Sequence, residues 1–334
     1  MKLKIKLPSH LLLKSFYLGS CLLIFQSTIL AQDSSAVKTQ DTTSVAEEVV
    51  APGPKKIKPE KNTFQSVWII DNQTVLVPVK GTFEMDIMHR FGTVKKGYED
   101  FWGFFAPSNI RLGFSYVPIN RLNVGLGITK SNMLWDASAK YSIITQTKTK
   151  YPVSLTYYSN VSYDTRKDPD GSLYKYKSQR IMFFNQLIIA RKINNKLSLQ
   201  VAPSISHQNA VNGYYTKNDS TGKDIFKEMK NDHIAIAFSG RYKLTNVTSL
   251  MINYDQPITK HATANPTPNL SFGVEFNTSN HSFQLFLGNY SLLSPQRNNL
   301  YNKNAPFGYT DVSGVKQEGG GFLIGFNITR LWNY

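Results

Sequence analysis

Cysteine, histidine and metal-binding patterns are scarce in this sequence. Of its 334 residues, six are histidines and only Cys21 is a cysteine. A single cysteine cannot form an internal disulfide, which excludes a disulfide-stapled secreted domain. No two histidine or cysteine residues occur at ligand spacing within one predicted element, so we predict no metal site. These absences give no support to a metal-dependent activity.

Long apolar runs are also missing beyond the first 31 residues. No later segment approaches the roughly 18–20 consecutive apolar residues that a membrane helix requires. The mean hydropathy of −0.29 is too polar for a helical membrane protein. Aromatic residues nevertheless make up 13% of the chain. The composition therefore excludes a helical bundle in the membrane but is rich in rings that favour membrane interfaces.

Acidic residues are few relative to basic ones. The chain has 22 Asp and Glu against 38 Lys and Arg, a formal net charge of +16. Such a charge favours polyanions, either nucleic acid or the phosphates of an anionic membrane face. No compact Lys/Arg run or nucleic-acid-binding fold accompanies the charge. We therefore predict no nucleic-acid partner and favour anionic lipid.

The N-terminus has the pattern of an export signal. Three lysines precede an uncharged apolar segment, and a cut near Ala31 would define residues 1–31 as a cleaved signal peptide. A lipoprotein cut at Cys21 is an alternative, but it would leave an apolar stretch on the mature chain. Residues 32–63 are rich in Ser, Thr, Lys, Glu and Pro, which predicts a disordered periplasmic spacer.

Residues 64–81 contain two short apolar runs around Asp71-Asn72. The pattern predicts a short N-terminal β segment, a strand-turn-strand. It would either pack at the entrance of the following domain or lie inside it.

From residue 82 onward apolar and polar residues alternate. Leu122, Val124, Leu126 and Ile128, for example, are separated by polar or small residues. Alternation of this kind gives each strand one apolar and one polar face. Most runs are eight to twelve residues long, close to the ~9–11 that a tilted strand needs to cross a bilayer. The runs predict twelve strands, near 82–91, 110–117, 122–130, 135–145, 152–161, 180–191, 197–206, 232–243, 247–256, 269–277, 281–288 and 320–334.

The connections between these runs separate a membrane barrel from a soluble sandwich. Short turns alternate with long polar loops, as in outer-membrane barrels with short periplasmic turns. The short ones are Pro118–Arg121, Lys192–Lys196, Leu244–Asn246 and Thr278–Asn280, and the long ones are Gly92–Asn109, Ser162–Gln179, His207–Asn231, Pro257–Pro268 and Asn289–Gly319. We therefore predict an all-β fold: a transmembrane, antiparallel, up-and-down β-barrel of about twelve strands over residues 82–334, in the outer membrane.

The C-terminal run ends on aromatic residues that share one face. Phe326, Trp332 and Tyr334 form a pattern that resembles the terminal signal recognised by the barrel-assembly machinery of Gram-negative bacteria. We expect these residues to act as an assembly signal.

One short element resembles a known family. Ile87–Gly92, which contains His-Arg-Phe-Gly, together with Asn72–Val75, Ile110–Gly113 and Leu122–Gly127, resembles an uncharacterised family of membrane-bound β-barrel proteins from Gram-negative bacteria. The resemblance covers about residues 64–334. It implies an outer-membrane barrel and supplies no established activity, so it carries no catalytic residue over to this chain.

Charged residues within the strands should face the lumen. Exposing Lys or Arg to lipid at mid-plane costs about 2–4 kcal/mol. The candidates that share parity with the polar residues of their strands are Glu84, Asp86, Arg90, Arg111, Lys140, Gln186, Arg241 and Glu275. Either the acids neutralise the bases in a closed polar core, or these side chains line a narrow water-filled pore. His89 is a candidate for a functional residue at the external rim.

Catalytic arrangements are absent from the sequence pattern. The barrel's histidines lack the His-x-Ser spacing expected of a phospholipase of this architecture, and Lys167–Gly171 reads as a turn rather than a calcium loop. We predict no enzyme and no cofactor. The favoured function is a small-solute channel or a structural surface protein. A lipid-modifying enzyme or protease, and an adhesion or partner-binding protein, are alternatives.

The barrel interpretation also defines the expected partners. We expect outer-membrane lipid, including anionic lipopolysaccharide, the barrel-assembly machinery, and small polar solutes if a channel exists. We expect the protein to be a monomer.

Overall fold

A computed structural model describes residues 59–218, 220–261, 265–310 and 314–333. The predicted signal peptide with Cys21, the predicted spacer up to residue 58, and Tyr334 lie outside the described residues.

Twelve long strands form the body of the protein. They are β1 (Thr82–Thr93), β2 (Asn109–Ile119), β3 (Leu122–Thr129), β4 (Leu134–Ile144), β5 (Ser154–Asp164), β6 (Ile181–Lys192), β7 (Leu197–Gln208), β8 (Asp232–Lys243), β9 (Thr248–Pro257), β10 (Asn269–Asn277), β11 (His281–Gly288) and β12 (Leu323–Asn333). Each strand is antiparallel to the next, and β12 pairs with both β11 and β1, which closes the sheet. The predicted twelve-stranded up-and-down barrel is confirmed.

Among the described residues, none of the helices has the length and apolar character required of a membrane-spanning helix. Within these described ranges the helices are a single α-helix, α1 (Pro295–Tyr301), and three short 3-10 turns.

The alternation of side chains explains why these strands form a barrel. In β6, Phe183 and Leu187 point outward and are exposed, whereas Phe184 and Gln186 between them are buried inside. The same pattern recurs around the barrel, so its outer wall is a continuous apolar surface that can face lipid. The protein's buried residues therefore lie within the lumen.

The two ends of the barrel differ in their connections. One end, which we call the short-turn end, carries residues 120–121, 145–153, 193–196, 244–247 and 278–280. The other, the long-loop end, carries residues 94–108, 130–133, 165–180, 209–218, 220–231, 258–261, 265–268, 289–310 and 314–322. The connector 130–133 is short although it lies at the long-loop end. The connector 145–153 is long although it lies at the short-turn end. The other connectors follow the predicted alternation.

The C-terminal strand begins at Leu323, a little later than the sequence pattern indicates. Phe326 and Trp332 point outward from it, and Trp332 lies 5.6 Å from the ring of Phe83 on β1. The guanidinium of Arg330 lies 4.6 Å from the Trp332 ring, which places its charge beside an interfacial aromatic residue. The role of these residues as an assembly signal stays a prediction.

The barrel has an even number of strands, so both of its termini lie at the short-turn end. We predict that this end faces the periplasm and the long loops face the exterior. In cells expressing single-cysteine variants, a membrane-impermeant maleimide should label Glu318→Cys and leave Asn195→Cys unlabelled; both positions are exposed. Removal of Cys21 with the predicted signal peptide would leave no background. Labelling of Asn195→Cys alone would reverse the orientation.

Candidate functional site

The segment preceding the barrel lies inside it. Pro59 bridges Thr147, and the N–H of Glu60 donates to the carbonyl of Gln146 at 2.7 Å, so the chain enters at the short-turn end. It leaves at the same end, where the N–H of Gly81 donates to the carbonyl of Val117 at 2.9 Å. Between these points Trp68–Ile69 pairs with Asn72–Gln73. We call residues 64–76 the plug hairpin.

The part of the plug hairpin nearest the short-turn end binds polar side chains of the wall. The Gln65 carboxamide oxygen accepts hydrogen bonds from Arg241 and, at 3.1 Å, from Asn277. Both wall residues stand at the short-turn end of their strands. The plug is therefore anchored close to the mouth through which it enters.

Two further contacts hold the middle of the plug hairpin. The Trp68 indole N–H donates to Asp86 at 2.9 Å, and Lys140 Nζ donates to Gln73 Oε1 at 2.7 Å. Each pair is buried. The plug therefore supplies a hydrogen-bond partner to Asp86 and to Lys140, two wall charges that are out of contact with water.

The tip of the plug hairpin reaches the far part of the lumen. Arg90 Nη2 and Asp71 Oδ1 form an ion pair at 2.7 Å. The Asn72 amide donates to Asn253 at 2.9 Å and to Asp255 at 2.7 Å. Because Arg90 and Asp255 lie near the long-loop ends of β1 and β9, the plug spans most of the lumen.

The turn at the tip is conformationally costly. Ile70 has φ of 58°, an unusual conformation for a β-branched residue. Its side chain is fully buried, and its N–H donates to Gln284 Oε1 at 3.1 Å. Burial and wall contacts therefore hold a turn that the local sequence does not favour.

Apolar contacts accompany the polar ones. Four plug residues join one buried cluster with inward-facing residues of the wall: Phe64, Ile69, Ile70 and Val75 with Tyr158, Phe184, Ile188, Ala190, Ala202, Ala237, Met251 and Phe286. This cluster gives the barrel an internal hydrophobic core, to which the plug hairpin contributes four residues.

A second element closes the lumen from the opposite end. The loop carrying α1 folds inward, and Gln296 donates to Asn160 at 2.6 Å and to Ser162 at 2.8 Å. Just before it, Leu293 packs with Val67, Trp68 and Met88. The plug hairpin and the α1 loop therefore touch inside the barrel.

Little free space remains between them. One cavity of about 20 Å³ lies where Trp68 and Asp71 approach Gln296. A second, also of about 20 Å³, lies beside Glu84 and Lys140. Each has room for about one water molecule. Neither cavity admits a solute larger than water.

The eight predicted lumen residues are all buried on the inner side of the wall. Arg111 pairs with Asp86 and with Asp136, each at 2.8 Å, and Arg241 pairs with Glu275 at 2.7 Å. The other predicted residues contact the plug, apart from Glu84, whose Oε2 has no hydrogen-bond partner. Gln186, for instance, donates to Asn72 at 3.3 Å.

Sequence reasoning missed three acids of this network. Asp136 and Asp255 share parity with other inward-facing residues, so the alternation contained the signal needed to find them. Asp71 carried no such signal, because the two-residue strands beside it show no period.

His89 lies on the outer side of β1, near the long-loop end. Its ring stacks on Phe326 at 5.1 Å between centroids and lies 4.3 Å from that of Phe91. It therefore belongs to an aromatic group on the outer wall and does not reach the lumen.

The remaining chemical motifs have structural explanations. His207 Nδ1 lies 2.7 Å from Asp232, but its Nε2 faces Asn209 at 3.0 Å instead of a hydroxyl nucleophile. Asp168 accepts hydrogen bonds from the N–H groups of Leu173 and Tyr174, and these bonds, led by that of Leu173, hold the pKa of its carboxyl below the usual value. The carboxylate oxygens of Asp168 therefore stabilise a turn. In the part of the chain described, no cluster of three or more acidic, histidine or cysteine residues could hold a metal ion.

Comparison with known proteins defines the class. Residues 64–332 match the family described as "Membrane bound beta barrel domain (DUF5777)", and the chain belongs to that family. The match begins with the plug hairpin and ends in β12. The protein is therefore a membrane-bound β-barrel of the outer-membrane type, and the family resemblance noted in the sequence is confirmed.

Solved barrels are only distantly similar. The NanC porin is 8% identical with a TM-score of 0.42, covering 75% of this chain and 99% of the porin. An outer membrane channel from Pseudomonas putida F1 is 14% identical with a TM-score of 0.42, covering 77% and 97%. The Pseudomonas putida toluene transporter TodX is 8% identical with a TM-score of 0.34, covering 78% and 91%. A search of curated proteins finds no match. Similarity at this level transfers no function to the chain.

The Arg90–Asp71 pair gives a direct test of the plugged lumen. Arg90→Met should leave Asp71 buried without its cation and lower the free energy of unfolding by about 3–5 kcal/mol. Urea unfolding of the refolded protein in micelles would measure the loss. Adding Asp71→Asn should recover part of it. Lys148→Met, at an exposed turn, is the control, and an Arg90→Met variant as stable as this control would contradict the pairing.

Proposed function

We propose that the protein is an outer-membrane channel for small polar solutes, held closed by the plug hairpin and, from the opposite end, by the α1 loop that packs on it. The observation that carries the proposal is the path of the plug. It enters and leaves through the same end. It can therefore withdraw without breaking a hydrogen bond between barrel strands and without threading the chain through the wall.

The wall behind the plug supports a water-filled open state. Its buried inward side chains include many hydroxyls and carboxamides: Thr156, Asn160, Ser162, Gln200, Ser204, Ser239, Asn253 and Ser271. Water can replace the plug as the hydrogen-bond partner of such groups at small net cost. A lumen that only had to be filled would be served better by apolar side chains, since buried polar groups must all be satisfied.

The charge of the wall favours weak selectivity. Arg111 and Arg241 keep their wall carboxylates when the plug leaves, because Asp86, Asp136 and Glu275 belong to the barrel. Arg90 and Lys140 lose the plug groups Asp71 and Gln73. The open channel would thus gain two uncovered cations, opposed by Glu84 and by Asp255, which loses Asn72 of the plug. It would admit polar solutes with little preference between anions and cations.

The remaining predictions fit this function. We propose that the mature protein follows export on a cleaved signal peptide, is inserted by the barrel-assembly machinery, lies among outer-membrane lipids and acts as a monomer without a cofactor. The alternatives of an enzyme and of an adhesion protein have no comparably organised site among the described residues.

Conductance in planar bilayers tests the proposal. The wild type should be mostly silent with rare openings, and Asp71→Asn combined with Gln73→Ala should open more often because it loosens the plug without changing the wall. Cysteines at positions 72 and 253, whose native side chains are hydrogen-bonded, should form a disulfide that abolishes openings until it is reduced. The two single-cysteine variants are the controls.

A permanently closed lumen makes a different prediction. In that case the loosened variant, and a variant lacking both residues 64–76 and residues 293–301, would not conduct although heat-modifiable migration in gels shows a folded barrel. That result would refute the channel and support a purely structural barrel.

A further inference from the structure

The first long loop is unusually aromatic and exposed. Within residues 94–108, five aromatic side chains fall within eight positions, with exposed fractions of 82% for Tyr98, 44% for Phe101, 47% for Trp102, 43% for Phe104 and 82% for Phe105. We call this segment the aromatic loop. Its lysines and acids predict a polar loop, yet its aromatic side chains are as exposed as the barrel's lipid-facing ones or more so. A contiguous exposed apolar patch marks an interaction surface.

The aromatic loop folds outward, away from the lumen. The ring of Phe104 lies 4.4 Å from that of Phe91, between centroids. Phe91 belongs to the outer wall, where it neighbours His89 and Phe326. The loop therefore extends the lipid-facing surface of β1 and β12 beyond the end of the strands.

Two glycines make this fold possible. The N–H of Gly92 donates to the carbonyl of Gly103 at 2.9 Å, and Gly103 has φ of 85°. A Cβ on Gly103 would lie 2.3 Å from the carbonyl oxygen of Gly92. The base of the loop thus depends on a backbone approach that only glycine permits.

The rings are arranged before any ligand binds. Phe101 and Trp102 both have left-handed backbones, with φ of 51° and 53°, and the N–H of Trp102 donates to the Gly97 carbonyl at 2.6 Å. The Phe101 ring lies 5.4 Å from Trp102 and 5.7 Å from Phe105, between centroids. A left-handed backbone at two consecutive non-glycine residues raises the conformational energy of the loop. Here that backbone keeps the aromatic rings exposed to solvent.

Charged residues accompany the rings. Lys95, Lys96 and Glu99 are exposed, and Asp100 accepts a hydrogen bond from the Gly103 N–H at 2.9 Å. This mixture is typical of the membrane interface, where aromatic rings and lysines both lie at the level of the headgroups.

We infer that the aromatic loop is a lipid-binding site that inserts into the interface of the leaflet at the long-loop end. Its ligands are the headgroups and upper acyl chains of the surrounding lipid. Continuity with the lipid-facing wall supports lipid as the occupant, because a partner protein would have to displace the bilayer that borders Phe91. The site is independent of plug movement, so the two proposals can fail separately.

Tryptophan fluorescence in vesicles tests the inference whichever end faces outward. The protein is refolded into phosphatidylcholine vesicles containing lipid brominated in its upper acyl chain. The emission of Trp102 is obtained as the difference between the wild type and Trp102→Phe. It should be blue-shifted and strongly quenched, as should that of Trp135, which is exposed on the outer wall. Trp68, buried in the plug hairpin inside the barrel, should not be quenched.

The opposite result is equally clear. Quenching of Trp102 by aqueous iodide, with none by brominated lipid, would show that the loop lies in water and would overturn the inference. Gly103→Val should move Trp102 from the lipid-quenched to the iodide-quenched class by displacing the loop. Phe307→Ser, on another long loop, is the control and should leave both signals unchanged. Heat-modifiable migration confirms that each variant is folded.

Discussion

The need to pair every backbone amide within lipid determines this structure. Each unpaired N–H or C=O in hydrocarbon costs several kcal/mol, so a spanning sheet must close. Closure occurs where β12 pairs with β1, and twelve strands leave a lumen too wide for the wall's own side chains to fill. The charged residues excluded from the lipid face are then collected inside it. The plug hairpin and the α1 loop fill this lumen and supply partners for its polar side chains.

The His-Arg-Phe-Gly element joins the two surfaces of the wall. Arg90 faces the lumen and binds Asp71 of the plug, while His89 and Phe91 face lipid beside Phe326. Gly92 then permits the aromatic loop to fold back. Four consecutive residues therefore connect the plug, the closing strand and the proposed lipid-binding loop. This connection gives a physical reason for each residue type in the element.

Alternation along the strands predicted which residues face the lumen, because period two assigns every residue of a long strand to one face. The length of the runs and the alternation of short and long connectors then distinguished a barrel from a sandwich. It also placed Arg111 and Arg241 inside, where Arg111 pairs with Asp86 on the adjacent strand and Arg241 pairs with Glu275 two strands away. Partners far apart in the sequence, such as Gln65 and Arg241, could not be predicted, since parity gives a face and no register. Inward-facing Phe184, Ile188 and Phe286 broke the polar pattern of the lumen, and this anomaly was the available sign that an apolar segment packs inside. The aromatic loop was predicted as a polar loop because lysines and acids lie among its aromatic residues. The sequence does not show that a left-handed backbone brings those aromatic residues together.

The central claim is that the plug hairpin is a docked element that can leave a barrel that stays folded. Hydrogen–deuterium exchange of the refolded protein measures this directly, because opening of a docked element exposes its amides without global unfolding. The amides of Ile70 and Thr74, which are hydrogen-bonded in the lumen, should exchange more slowly than those of exposed loops and faster than those of β6 and β7. Exchange as slow as that of the strands would contradict withdrawal of the plug, and exchange as fast as that of a free chain would contradict its docking in the lumen.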